Sequence, residues 1–234
     1  MGRMDQEGIV VACDQNQEWL LSWWWEHYSR HNSYPVLFVD IGMSEKGRAW
    51  CSERGACVPL DVEGFCEKPI SPENARAWEN QITSILSFRS TLLKKPFAFR
   101  QSPFALSLWL DLDCQIKGPL DPLFYLLHFG VDFSVRKVEI PTLTFSSGVV
   151  AFRKDSRVLA SWLEEIVERN DRHIHDEAAL TQLLMKDGVS FMELPSIYNW
   201  NPLHGNNPQA VILHLQGGFL KGELRKALAK QADL

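Results

Sequence analysis

The chain has 234 residues, of which 45% are hydrophobic and 23% are charged, and its formal net charge is −5 at pH 7. This length and composition suffice for one large α/β domain or two small ones with a buried core. An acidic balance without a concentrated basic surface excludes non-specific binding to nucleic acid. The five cysteines lack CxxC spacing, which predicts neither a disulfide framework nor a structural zinc site.

The apolar runs predict no export or membrane segment. The first run, residues 9–12, is too short for a signal peptide, and no later run reaches about 18 apolar residues. We therefore expect a soluble, cytoplasmic protein with reduced thiols.

Strand and helix patterns alternate along the first half of the chain. Continuous apolar runs predict buried strands at 9–12, 36–40 and 57–60, and helical spacing of apolar residues predicts a helix over 17–31. A strand, a helix and a strand in succession are typical of a parallel sheet. A further helix is expected over 75–93, and Pro96 and Pro103 are expected to end helical structure before a strand at 106–110.

The second half continues the alternation. It predicts strands at 145–152, near 191–192 and at 211–213, and helices over 157–169 and 176–185. No repeat, low-complexity tract or linker is found, so we expect a single domain covering residues 1–234. The predicted fold is α/β, with a mainly parallel central sheet flanked by helices.

Two acidic residues follow the predicted strand at 106–110. Asp111 and Asp113 are separated by one apolar residue, Leu112. Carboxylate and phosphate oxygens together suit Mg²⁺ or Mn²⁺, which neutralises the charge that grows as a diphosphate leaves. Because an Asp-x-Asp pair often arises by chance, its position at a strand end is what predicts a metal and diphosphate site.

A histidine and a lysine near the end of the chain are candidates for the same site. His214 follows the last predicted strand and precedes Gly217, in a segment where a ligand can approach the backbone closely. A neutral imidazole is a suitable partner for carboxylates around Mn²⁺. Lys221 is a candidate partner for a phosphate, although an isolated lysine is more often simply solvated.

From Ile9 to Lys221, the order of these features resembles the GT-A glycosyltransferases, and most closely the family 8 and nucleotide-diphospho-sugar transferase group. The segment 11–16 is similar to that group's first strand and nucleotide-binding loop, which implies that Ala12 and Asp14 contact the nucleotide. The segment 102–114 is similar to the approach to its metal motif and is the most specific match.

The metal motif and the end of the chain carry further implications of this resemblance. The segment 212–221 is similar to the group's His-x-x-Gly-x-x-Lys, with the lysine one residue late. The resemblance implies a cation held by Asp111, Asp113 and His214. It also implies donor contacts from Asp111, Leu112, Gly217 and Lys221.

Three other matches concern the donor sugar. Lys95, which precedes Pro96, resembles a basic residue near the donor sugar and diphosphate. Ser146-Ser147-Gly148 resembles an Asn-x-Gly strand with serine in place of asparagine, and Gly148 fits a close backbone approach. Asp176 and Glu177 resemble an acidic or Asp-Gln pair that begins a helix and faces the sugar. Lys95, Asp176 and Glu177 are therefore the predicted catalytic residues.

Tyr198 and Asn199 resemble part of the group's Leu-Pro-x-x-aromatic-Asn turn, with no role assigned to either. The resemblance implies transfer of a sugar from a nucleotide-sugar donor, a UDP-sugar, to a hydroxyl of an unknown glycan, lipid or protein acceptor. It implies Mn²⁺ or Mg²⁺ as cofactor and retention of anomeric configuration. For an inverting reaction, Asp176 or Glu177 would be the general base.

Two alternatives stay open at this point. A nucleotidyltransferase also combines an α/β sheet with paired acidic residues. Such an enzyme typically has a Gly-rich basic loop after the first strand, and residues 13–18 lack this composition. A degenerate transferase that only binds or scaffolds is suggested by Ser146 and by the late Lys221. The intact Asp111, Asp113 and His214 argue against it.

Overall fold

A seven-stranded sheet organises the chain in this computed structural model, which describes residues 6–140 and 143–232, without the side chains of 79–87, 139, 140, 143, 231 and 232. The strands are β1 (Glu7–Cys13), β2 (Val36–Asp40), β3 (Ala56–Pro59), β4 (Leu106–Leu110), β5 (Cys114–Ile116), β6 (Phe133–Ile140), β7 (Leu143–Arg153), β8 (Met192–Glu193) and β9 (Ile212–His214). The order in the large sheet is β3-β2-β1-β4-β7-β6-β8, and β5 pairs with β9 in a separate ribbon.

The large sheet is mainly parallel, as the sequence predicted. Strands β1, β2, β3 and β4 pair in parallel, and β6 pairs in parallel with β8. Strand β7 runs antiparallel to both of its neighbours, β4 and β6. Since β7 is reversed, its middle lies beside the carboxyl end of β4, where Leu110 pairs with Val149.

Helices cover both faces of the sheet. They are α1 (Leu21–Ser29), α2 (Glu45–Ser52), α3 (Pro72–Ala77), α4 (Glu79–Arg100), α5 (Asp121–His128), α6 (Arg157–Arg169), α7 (Asp176–Leu184) and α8 (Gly218–Ala232). Alternate strand residues enter two hydrophobic clusters: Ile9 and Val11 of β1 pack with α1 and α5, whereas Val10 packs with α4, α6 and α7. Burial on both faces explains why the strands read as continuous apolar runs.

The helices differ from the expectation in several ways. Helices α2, α5 and α8 were not predicted, and two helices, α3 and α4, lie where one was expected over 75–93. Helix α4 continues through Pro96 to Arg100, where we expected an end. Proline removes one helical hydrogen bond, but Phe97, Ala98 and Phe99 are buried against the sheet, and their burial offsets that loss. Helix α2 was not predicted because it has few apolar residues; its start is fixed by Ser44, whose hydroxyl accepts a hydrogen bond from the Gly47 amide.

Within the described residues, no helix has the length and apolar character needed to cross a membrane.

Candidate active site

A cavity opens at the carboxyl ends of β1 and β4, bordered by α4 and the start of α8. Six residues predicted from the sequence lie in its wall: Ala12, Lys95, Asp111, Leu112, Asp113 and Lys221. In an α/β sheet, ligands bind beyond the carboxyl ends of the parallel strands, because the loops there are free to vary. The topology therefore brings the predicted residues of four separate segments to one place.

Asp113 and His214 form a buried pair beside this cavity. The Nε2 atom of His214 lies 3.3 Å from Oδ1 of Asp113, and Nζ of Lys221 lies 3.0 Å from Oδ2 of Asp113. Burial alone would raise the pKa of Asp113, but the charges of His214 and Lys221 hold it well below its usual range. Likewise, burial alone would lower the pKa of His214, and the charge of Asp113 raises it instead. Asp113 is therefore a carboxylate.

Two neighbours orient His214: Asn199, which the sequence left without a role, and Gly148, for which it predicted a close backbone approach. The Nδ1 atom of His214 lies 2.9 Å from Oδ1 of Asn199, so the ring donates there and turns Nε2 toward the carboxylates. Gly148 packs against the ring, since a Cβ at this position would lie 2.0 Å from Cε1 of His214. The close approach predicted for Gly148 is thus to His214, and glycine is needed because the imidazole occupies the space of a side chain.

Asp111 is held by Lys95 and Trp109. Nζ of Lys95 lies 2.8 Å from Oδ1 of Asp111 and 3.0 Å from Oδ2, and the Trp109 indole donates to Oδ1 at 2.7 Å. Burial alone would lower the pKa of Lys95, but the charges of Asp111 and Asp176 raise it above its usual value. Lys95 is therefore an ammonium group. The Oδ2 atom of Asp111 also lies 3.8 Å from Nε2 of His214.

The acidic pair at the start of α7 lies on the same side as Lys95. Ser147 of β7 donates to Oδ2 of Asp176 at 2.8 Å through its hydroxyl and to Oε1 of Glu177 at 2.6 Å through its backbone amide. Burial and the neighbouring charge of Asp176 raise the pKa of Glu177 to about 7. A carboxyl group that titrates near neutrality is suited to proton transfer.

The raised pKa of Glu177 predicts a pH dependence of stability. The folded protein binds a proton that an unfolded chain releases near the ordinary value of 4.5, so the associated stabilisation is full below 4.5 and is lost as pH rises toward 7. We expect Glu177→Gln to raise Tm more at about pH 8 than at about pH 5. Calorimetric unfolding at both pH values measures this, and Glu164→Gln on the exposed side of α6 is the control. An equal difference at both pH values would contradict the prediction.

The remaining predicted residues take up separate positions. Asp14 accepts a hydrogen bond from the Gln17 amide at 3.0 Å and so closes the turn after β1; Gln17, rather than Asp14, lines the cavity. Gly217 has a φ of +97°, which favours glycine and allows the chain to enter α8. Because α8 begins at Gly218, Lys221 lies on its first turn and reaches Asp113 despite its one-residue delay in the motif.

The site offers oxygen and nitrogen ligands to a cation. Among the described residues, the one group of three potential ligands whose atoms all lie within 4.8 Å of one another is Asp113, Cys114 and His214. The Cys114 thiol donates to the carbonyl of Gly148, and burial raises its pKa well above the usual value, so it stays protonated. Carboxylates and an imidazole suit Mn²⁺ or Mg²⁺ better than a thiol does. Asp111 lies alongside Asp113 and His214 as a second carboxylate.

No family model and no curated protein matches the chain by sequence. Solved structures match it in fold. GlyE, a glycosyltransferase from Streptococcus pneumoniae TIGR4, is 15% identical with a TM-score of 0.62, and the alignment covers 91% of this chain and 55% of GlyE. The galactosyltransferase LgtC, crystallised with donor and acceptor sugar analogues, is 17% identical with a TM-score of 0.57 and coverages of 89% and 86%. Mouse xyloside xylosyltransferase 1 is 13% identical with a TM-score of 0.52 and coverages of 89% and 97%.

The chain has the GT-A glycosyltransferase fold. The match extends over nine-tenths of the chain, although the chain spans only about half the length of GlyE. In these neighbours the fold serves sugar transfer.

Proposed function

We propose that this GT-A chain is a metal-dependent glycosyltransferase that moves a sugar from a nucleotide-sugar donor, a UDP-sugar, to a hydroxyl group of an acceptor. The observation that carries the proposal is the pairing of Asp113 with His214 next to Lys221 in the cavity beyond β4. This arrangement combines cation ligands with a positive charge for phosphate. The 234 residues would act as a single transferase domain.

The donor diphosphate would lie in the cavity beside the carboxylates and Lys221. Asp111, Asp113 and His214 would hold Mn²⁺ or Mg²⁺, whose charge stabilises the leaving diphosphate when it is bound. Lys221 would add a hydrogen-bonding positive charge to the phosphates. The nucleoside would contact the end of β1 and the cavity wall, through residues Ala12, Asp14, Leu112 and Gly217.

The sugar would lie toward β7 and α7. Lys95 is an ammonium group between Asp111 and Ser147, and Asp176 lies on the other side of Ser147, so both would orient the sugar. Gly148 would act mainly by admitting the His214 ring. The transfer would retain the anomeric configuration of the sugar, as the family 8 resemblance implies. In an inverting reaction, Glu177 would act as the general base.

Both alternative functions are less well supported. The turn after β1 contains Asp14 and Gln17 in place of the Gly-rich basic loop of a nucleotidyltransferase. The scaffold alternative drew on the late position of Lys221, yet the Lys221 ammonium lies 3.0 Å from Asp113. The composition of this turn and the contact of Lys221 with Asp113 both favour the transferase.

Calorimetric titration of UDP tests the proposal directly. We expect heat of binding in the presence of Mn²⁺ and at least about tenfold weaker binding in EDTA, because phosphate then loses its cation. GDP and CDP serve as controls for the base, and UDP-glucose and UDP-galactose extend the series to donors. The absence of any metal-linked nucleotide binding would refute the donor site and favour the scaffold alternative.

A further inference from the structure

Three predicted site residues converge on one side chain that has no assigned role, Ser147 of β7. Its hydroxyl accepts a hydrogen bond from Nζ of Lys95 at 2.9 Å and donates to Oδ2 of Asp176 at 2.8 Å. Its backbone amide donates to Oε1 of Glu177 at 2.6 Å. Ser147 is completely buried, so these contacts are shielded from water.

A hydroxyl group is suited to this position because it has one proton and two lone pairs. The nearer acceptor for the proton is Oδ2 of Asp176 at 2.8 Å, against 3.3 Å for Oε1 of Glu177, and the oxygen is the acceptor for Lys95. Lys95 in turn contacts both carboxylate oxygens of Asp111. The result is a hydrogen-bonded series Asp176–Ser147–Lys95–Asp111 that joins α7, β7 and α4 to the end of β4. Alanine would remove its central member.

We propose that Ser147 is a positioning residue, which aligns Lys95 and the Asp176-Glu177 pair toward the donor sugar. This role rests on the function proposed above. Ser147 would act through Lys95 and the acidic pair, without contacting the sugar itself. Within the described residues, Ser147 makes no hydrogen bond to Asp113, His214 or Lys221. Its removal should therefore reduce the transfer of the sugar far more than the binding of metal and diphosphate, which Ser147 reaches only through Lys95 and Asp111.

Ser147→Ala tests the proposal, and the chain supplies a matched control. Ser134 of the neighbouring strand β6 is also completely buried, and its hydroxyl has no hydrogen-bond partner among the described residues. We expect Ser147→Ala to lower kcat for UDP release from UDP-glucose or UDP-galactose by about 10- to 100-fold, as small misplacements do. Affinity for UDP with Mn²⁺ should fall by much less than kcat does, because Asp113, His214 and Lys221 keep their contacts. Ser134→Ala should change neither, and Ser147→Thr, which keeps the hydroxyl, should recover most of the loss.

A double-variant comparison separates positioning from a general packing effect. In Lys95→Met, Ser147 no longer has an ammonium group to hold, so adding Ser147→Ala should lower kcat by much less than it does in the wild type. Equal and additive losses in both backgrounds would overturn the positioning role. So would a Ser147→Ala enzyme whose kcat equals that of Ser134→Ala.

Crystal structures make the inference independent of turnover. If the wild type binds no UDP with Mn²⁺, the proposed function fails by that measurement alone. The position of Lys95 still decides the role of Ser147. In Ser147→Ala we expect Nζ of Lys95 to move from Asp111 by more than about 0.5 Å, the tolerance of a productive site. A Lys95 that stays in place would overturn the inference.

Discussion

Replacing Asp113 by asparagine is expected to weaken Mn²⁺-dependent UDP binding by about 100-fold or more. Outer-shell partners of metal ligands already contribute about 10- to 100-fold in affinity, and a direct ligand contributes at least as much. Asp113 is also the residue that both His214 and Lys221 contact, at 3.3 Å and 3.0 Å. The substitution removes the negative charge while keeping the shape of the side chain.

The control for this variant is Asp155→Asn. Asp155 follows β7 at the opposite end of the sheet, and its side chain is 80% exposed. Calorimetric titration of UDP with and without Mn²⁺ should give wild-type affinity for Asp155→Asn. If Asp113→Asn also binds UDP like the wild type when Mn²⁺ is present, the proposed cation site is wrong.

The second large effect is expected from Gly148→Ala. The added Cβ would lie 2.0 Å from Cε1 and 2.5 Å from Nδ1 of His214, and a real Cβ cannot be this close to another atom. The ring must therefore move away from Asp113, or β7 must shift. Overpacking of this kind typically costs about 1–3 kcal/mol, which corresponds to about 2–4 °C in Tm per kcal/mol for a protein of this size. We also expect loss of Mn²⁺-dependent UDP binding.

Gly222→Ala is the matched control for that variant. Gly222 lies within α8, and no atom lies within 4 Å of a Cβ built there. Alanine is favoured over glycine in a helix by roughly 0.5–1 kcal/mol, so Tm should rise slightly and UDP binding should not change. Differential scanning calorimetry measures both variants. A Gly148→Ala protein with wild-type Tm and binding would show that His214 does not need this space.

The sequence was sufficient for six of the seven strands of the large sheet, all but β6, and for residues whose position follows from a strand end. Asp111 and Asp113 come directly after an apolar run, and β4 places them at the carboxyl edge as expected. Buried strands with both faces covered give strong local signals. Helix α2 and strand β6 gave weaker ones, because α2 has few apolar residues and β6 mixes polar with apolar positions.

The polar contacts within the site could not be read from one sequence. Asn199 contacts His214 across 15 residues, and Ser147 contacts Lys95 across 52. Many serines and asparagines are compatible with such roles, and which one is within reach depends on the packing of whole elements. Gly148 illustrates the limit: the pattern predicted a close approach, but only the packing identifies His214 as the approaching group.

Because β9 and α8 follow the large sheet in the sequence, the site is completed late during synthesis of the chain. Every described strand of the large sheet precedes residue 194, whereas His214 and Lys221 come later in the chain. A nascent chain that has already paired these strands would still lack the imidazole and the ammonium group that Asp113 meets. The pocket would thus gain its charge balance only after residues 214–221 have left the ribosome.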